Sequence, residues 1–407
     1  MLNKVFINIS KLYSLEGGIR IQDELNDCAI YEDAYMRVCD GKVVNIGYMK
    51  DLEISNEEVV DLQGQMVIPG IVDAHSHLVF GGSRVNEYAM KIQGASYMDI
   101  YNAGGGIHST VKATREASFE ELYIQAKKYI YEMMSCGVTT LEAKSGYGLD
   151  LDTELKQLRV VKQLNEDLPI DLVSTFMPAH ALPKGYTSYA YLDEMKNHVL
   201  PIVVQEHLAE YMDCFLEKGV FDCEESMYIL KAGKEAGLKI KIHIDEIEDI
   251  GGTDVACELD ATSVEHCMVT SSTSMDKLKE KEIVAVILPA TSFNLCKDYA
   301  NVPLMKEKGL VLALSNDFNP GSCPCTDSLW MARIASRGLR LTPNEVLSMM
   351  TINSAKAIDR EHIVGSLESN KQADFVVMNC SSFDEVIANM MKNPITAVYK
   401  RGEKVVC

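Results

Sequence analysis

The sequence predicts an α/β protein: a (β/α)8 TIM barrel with a small β-sandwich formed from the N- and C-terminal segments. Three observations carry this. Between about residues 68 and 359, short apolar runs alternate with longer helical stretches, as strand followed by helix repeated eight times would require. Both ends of the chain read instead as short strands and turns. Five of the nine histidines sit at the C-terminal ends of candidate strands, the face on which such barrels build active sites. On pattern alone, a doubly wound sheet is the rival.

From Met1 to Met66 the chain offers strands. Ala34–Cys39, the turn Asp40–Gly41 and Lys42–Ile46 read as a hairpin. Ile71–Asp73 then opens the barrel series. Val138–Glu142, Ile170–Phe176, a weaker Ala209–Phe215, Leu238–His243, Ala261–Glu265, Ile283–Leu288 and Leu310–Leu314 follow. Ser118 with Glu121 forms a capping box for one intervening helix, which Gly137 ends, and Gly219 and Gly237 bracket another. After Asp359 come Ala373–Met378, Ala397–Arg401 and Gly402–Cys407. Residues 1–67 with 360–407 are expected to form the composite β-sandwich domain, and 68–359 the barrel.

The 407 residues are 47% hydrophobic and 24% charged, an ordinary globular balance. Acidic residues outnumber basic ones by 59 to 39, a net charge of -20 that would repel nucleic acid or an anionic membrane. An anionic substrate therefore needs a local cation. No signal peptide and no run of about 18 apolar residues is evident. The twelve scattered cysteines, among them Cys323 and Cys325, read as reduced cytoplasmic thiols.

His75 and His77 are i and i+2 on an extended segment, so both imidazoles face one way. Two converging imidazoles suit a divalent first-row metal. His243 closes another strand as a third ligand. Asp317 follows an apolar strand, where an unpaired carboxylate would be costly to bury, and a metal accounts for it. Glu246 is placed for proton transfer, the alternative being a charged helix cap, which is the role preferred for Asp245. His266 can orient a water or take its proton. The fourth strand offers no lysine for a bridging carbamate, so one metal per chain is expected. Lys144 reads as a structural ion pair.

With these residues in view, the chain resembles the amidohydrolase superfamily and, within it, the imidazolonepropionase family, from about Ile68 to Val406. The more specific blocks are Phe80–Tyr88, Glu142–Leu149 and Asp317–Gly321. The resemblance implies a cytoplasmic homodimer holding one zinc or iron, with His75, His77, His243 and Asp317 as ligands. It implies substrate contacts from Arg84, Tyr147, His180, Glu246, Asn319, Gly321 and Ser322. Ser322 and Asn316 stand where relatives commonly have threonine. The implied reaction is opening of the imidazolone ring of 4-imidazolone-5-propanoate to N-formimino-L-glutamate by a metal-activated water. Arg84 can grip the propionate through paired hydrogen bonds, or it can simply pair with Glu87. Tyr147 can face the ring or merely pack, its flanking glycines admitting a ligand. His180 is expected to donate to the ring carbonyl or the tail. An aromatic deaminase of the cytosine or guanine type is the alternative on the same metal site.

Overall fold

In the computed structural model, residues 3–94, 105–390 and 392–406 are described. Five strands precede the barrel: β1 (Asn3–Tyr13), β2 (Ile30–Cys39), β3 (Lys42–Tyr48), β4 (Glu58–Asp61) and β5 (Met66–Pro69). Eight parallel strands follow: β6 (Ile71–Asp73), β7 (Val138–Lys144), β8 (Asp171–Ala179), β9 (Tyr211–Leu216), β10 (Lys239–Ile244), β11 (Ser263–His266), β12 (Val284–Ile287) and β13 (Leu312–Leu314). They pair in chain order, as a barrel requires and a doubly wound sheet does not. The ring closes just beyond β6 and β13. Ser76 bridges Phe318, His77 N–H donates to the Phe318 carbonyl at 2.8 Å, and Asp317 N–H donates to that of His75 at 3.1 Å. Closure therefore runs through the backbone of three candidate metal ligands.

The helices begin and end where local chemistry dictates. Ser118 Oγ accepts from Glu121 N–H, and Glu121 accepts in return from Ser118 N–H, starting the helix Phe119–Ser135. Gly137, at φ +94°, turns the chain into β7. One expectation changes. The helix after β10 begins only at Gly252, so Asp245 is no helix cap. Its carboxylate is buried and accepts the Thr270 hydroxyl at 2.6 Å.

Three C-terminal strands, β14 (Phe375–Met378), β15 (Ile395–Lys400) and β16 (Glu403–Val406), join the first five in one sheet, ordered β16-β15-β14-β5-β1-β2-β3 with β4 on β1. The sheet curls over its own core. Phe6 of β1 meets Phe375 and Tyr399 edge-on at 4.9 and 5.3 Å, although β5 separates β1 from β14. Val43 N–H donates to the Lys371 carbonyl at 2.9 Å, drawing the far edge onto the approach to β14. Lys400 fastens this sheet to the barrel by donating to Asp374, Asp171 and the Thr139 carbonyl. Among the described residues no helix is long and apolar enough to cross a membrane, and the eleven described cysteines are free thiols.

Candidate active site

His75, His77 and His243 converge at the C-terminal mouth of the barrel, with one ligand atom of each within 4.8 Å of the others. Two imidazoles are oriented from behind. His75 Nδ1 lies 2.5 Å from Glu265 Oε2, and His243 Nδ1 lies 3.1 Å from Asp213 Oδ1. Donation of Nδ1–H to those carboxylates leaves each Nε2 lone pair pointing into the site. Both Nε2 atoms are buried and have no hydrogen-bond partner among the described residues. Asp317 Oδ1 lies 3.4 Å from His75 Nε2 and 3.8 Å from His77 Nε2, while its Oδ2 accepts the Thr291 hydroxyl at 2.6 Å. Burial, then the charges of neighbouring groups, hold His75 and His77 well below the usual imidazole range, so both are neutral donors. Three unpartnered nitrogens and one carboxylate oxygen fit a divalent cation, which would satisfy atoms otherwise costly to bury.

Beneath this cluster lies a layer of buried charge. Lys144 Nζ lies 2.7 Å from both Glu142 and Asp213, and Lys241 Nζ lies 3.3 Å from Glu142 and from Glu265. Lys144 thus has the ion-pair role expected of it. On β9, Asp213 points into the site and no lysine is present.

Above the cluster is a cavity of about 520 Å³. Arg84, Tyr147, His180, Glu246, His266, Asn319 and Ser322 line it, with His77, His243 and Asp317 at its floor. His75 is fully buried and is not among the lining residues, and neither is Gly321. Both His266 (φ +71°) and Asp317 (φ +56°) adopt the left-handed conformation where their strands end. His266 Nε2 lies 3.7 Å from Glu246 Oε2.

Several local roles differ from expectation. His180 stacks on His77 at 4.7 Å, and its Nδ1 lies 3.1 Å from the Gly146 carbonyl. Burial, then the charge of His243, brings its pKa down to about 3. A neutral ring donating through Nδ1 presents Nε2 to the cavity as an acceptor, not as the expected donor. The glycines beside Tyr147 make room for protein rather than ligand. A Cβ on Gly146 would meet His180 Nδ1 at 2.8 Å, and one on Gly148 would meet the Glu154 nitrogen at 2.5 Å. Gly321 likewise yields to Arg84, whose Nη1 would lie 2.0 Å from a Cβ there. Asn319 spends its amide within its own loop, donating to the Asp317 carbonyl and Ser322 Oγ and accepting from Gly321 and Ser322 N–H. Ser322 keeps its own hydroxyl proton to donate.

Asp213, Glu265, Thr291 and Glu154 support this site and were not anticipated from the sequence, whereas the pairing of Glu87 with Arg84 was. Glu154 is fully buried and accepts from the N–H groups of Gly146, Gly148 and Leu149, holding the Tyr147 turn. For Asp213 the signal was present, a charge inside the otherwise apolar strand Tyr211–Leu216, and Glu265 directly precedes the strand-end His266.

A closed parallel barrel with this histidine and aspartate cluster at its mouth defines a metal-dependent hydrolase of the amidohydrolase type. The sequence pattern of the amidohydrolase family matches residues 66–405. The chain is 43% identical to the imidazolonepropionase of Alkaliphilus metalliredigens, covering 100% of this chain and 98% of that protein. A triazine hydrolase variant superposes with a TM-score of 0.79 at 16% identity, covering 99% of this chain and 94% of the other. The adenosine deaminase from Xanthomonas campestris with bound zinc superposes at 0.75 and 14% identity, covering 99% and 92%. The chain belongs to the amidohydrolase family and, within it, to the imidazolonepropionases.

Proposed function

We infer that the protein hydrolyses the imidazolone ring of 4-imidazolone-5-propanoate, giving N-formimino-L-glutamate in histidine degradation. The observation that carries this reading is the Arg84 guanidinium facing the same cavity as two flat rings, Tyr147 and His180, above the His75, His77, His243 and Asp317 cluster; the other lining cations, Lys91 and Lys218, are engaged by Glu87 and Glu248. This arrangement suits a planar ring with an acidic tail.

One divalent cation per chain, zinc or iron, held by those four residues would supply Lewis acidity and bring the pKa of a water toward ~7. The protein groups do the rest. Arg84 takes the propionate through Nη1. Tyr147 lies against the ring, and His180 Nε2 accepts a ring N–H. The Ser322 hydroxyl supplies a further donor. His266 or Asp317 takes the proton lost by the attacking water. Glu246 delivers a proton to the ring nitrogen as the carbonyl–nitrogen bond breaks. Water adds across that bond, and both nitrogens stay in the product.

A homodimer in the cytoplasm agrees with the free thiols and with the resemblance, and residues 1–67 with 360–407 form the domain that buttresses the barrel. The deaminase alternative shares the metal cluster but leaves Arg84 without a task. Turnover of imidazolonepropionate by purified, metal-loaded protein tests the reading. Intact substrate after prolonged incubation would refute it.

A further inference from the structure

We propose that Glu217 is a positioning residue that sets the reach of Glu246, an inference resting on the proton-transfer role given to Glu246 above. Glu217 immediately follows β9 and is fully buried. A tight turn aims it sideways: its own N–H donates to the Phe221 carbonyl at 3.0 Å, and Val220 N–H donates to the Glu217 carbonyl at 3.0 Å. Its carboxylate then meets backbone amides. Oε2 accepts from Ile247 N–H at 2.8 Å, and Oε1 accepts from Glu248 N–H at 3.1 Å and Lys218 N–H at 2.9 Å. Among the described residues no cation pairs with it. A buried carboxylate left without a counter-ion demands hydrogen-bond donors, and these amides supply them.

Two of those donors are the residues directly after Glu246. On its other side, Asp245 is pinned by the Thr270 hydroxyl at 2.6 Å and through its own carbonyl, which accepts Val269 N–H at 3.0 Å. Glu246 therefore sits in an irregular segment clamped at both ends, and its carboxylate rests 3.7 Å from His266 Nε2. Outside the clamp, Lys218 Nζ holds Glu248 at 2.7 and 2.8 Å, joining the loops after β9 and β10 a second time. Replacing Glu217 by glutamine turns one acceptor oxygen into an N–H donor facing an amide N–H. The loop must then shift, and an error near 1 Å at a proton-transfer group is costly in rate.

The test combines kinetics with amide hydrogen exchange on metal-loaded protein. In Glu217→Gln we expect kcat to fall by about tenfold or more while KM stays within about twofold, with metal content unchanged. Exchange at Ile247 and Glu248 should quicken by about tenfold or more, and the barrel strands should keep their protection. Glu217→Asp, which keeps the carboxylate, should recover part of the rate. An unchanged kcat would overturn the proposal. So would parallel losses of kcat, substrate affinity and metal, since those mark a general structural role. If the unsubstituted protein left imidazolonepropionate intact, the functional reading would fail. Exchange would still decide whether Glu217 clamps the loop, and unaltered exchange at Ile247 and Glu248 would overturn that too.

Discussion

Glu87 grips Arg84 from one side only. Its carboxylate accepts from Nε at 3.0 Å and from Nη2 at 2.9 Å, leaving Nη1 as the arm without a partner among the described residues. The ion pair with Glu87 read from the sequence is therefore present, and it orients a cation that faces the cavity, the arrangement that the proposed propionate contact requires. Glu87 is itself fixed by Gly106 N–H at 2.8 Å, and the arginine beside it keeps its carboxyl low despite burial. Arg84→Met should lower kcat/KM by about thirty- to a thousandfold, mainly through KM, with metal content intact. Steady-state kinetics with elemental analysis checks this, and an unchanged KM would remove Arg84 from the substrate. Glu87→Gln should raise KM by less.

The carboxylates behind the histidines should tune metal affinity. Asp213→Asn removes the negative charge behind His243 and leaves one acceptor oxygen where His243 and Lys144 use two, and Glu265→Gln does the same for His75 and Ser263. Each should weaken metal binding by about ten- to a hundredfold in competition with a chelator. His243→Ala should abolish binding, and His198→Ala, on a helix away from the site, should leave it unaltered. Equal retention by both alanine variants would break the ligand assignment, and two ions per chain after dialysis would break the mononuclear one.

Glu246→Gln preserves size and removes the titrating group. It should lower kcat by about a hundredfold with the metal in place. Normal turnover by this variant would shift proton delivery to Asp317.

His180 makes a prediction about pH and stability. Its folded pKa, about 3, lies below the ordinary imidazole value near 6.5. As pH falls below about 6.5, the unfolded chain gains a proton that the folded chain refuses, so this residue costs stability on the acid side. A His180→Gln variant lacks that cost. Its melting temperature relative to the original protein should therefore rise between pH 7.5 and pH 5.5. A difference that stays constant or moves the other way would show that His180 is protonated in the folded state.

Much of this architecture was legible because strand and helix periodicities are local. Ile71–Asp73 and Val138–Glu142 needed only their own residues to be read as strands. The strand-end histidines were legible for the same reason, since the barrel places every strand end on one face. What escaped depends on contacts between distant residues. That β14 lies beside β5 joins positions some 300 residues apart, which no local pattern encodes. Asp213 was readable as an anomaly, since the argument that singled out Asp317 applies equally to a charge at the centre of Tyr211–Leu216. The His180 tautomer was not, because it depends on a carbonyl in the loop after a different strand. Asp245 was misread as a cap because the helix after β10 starts seven residues beyond it, at Gly252.

The central claim is that this site breaks an endocyclic carbonyl–nitrogen bond and expels no exocyclic amine. Simultaneous measurement of imidazolonepropionate absorbance and released ammonia tests it most directly. Both substrate nitrogens remain in N-formimino-L-glutamate, so absorbance should fall with no stoichiometric ammonia and one new carboxylate per turnover. Cytosine and guanine should yield little or no ammonia under the same conditions. Rapid ammonia release from either base, with imidazolonepropionate left intact, would contradict the account and move the activity to deamination on the same fold and metal cluster.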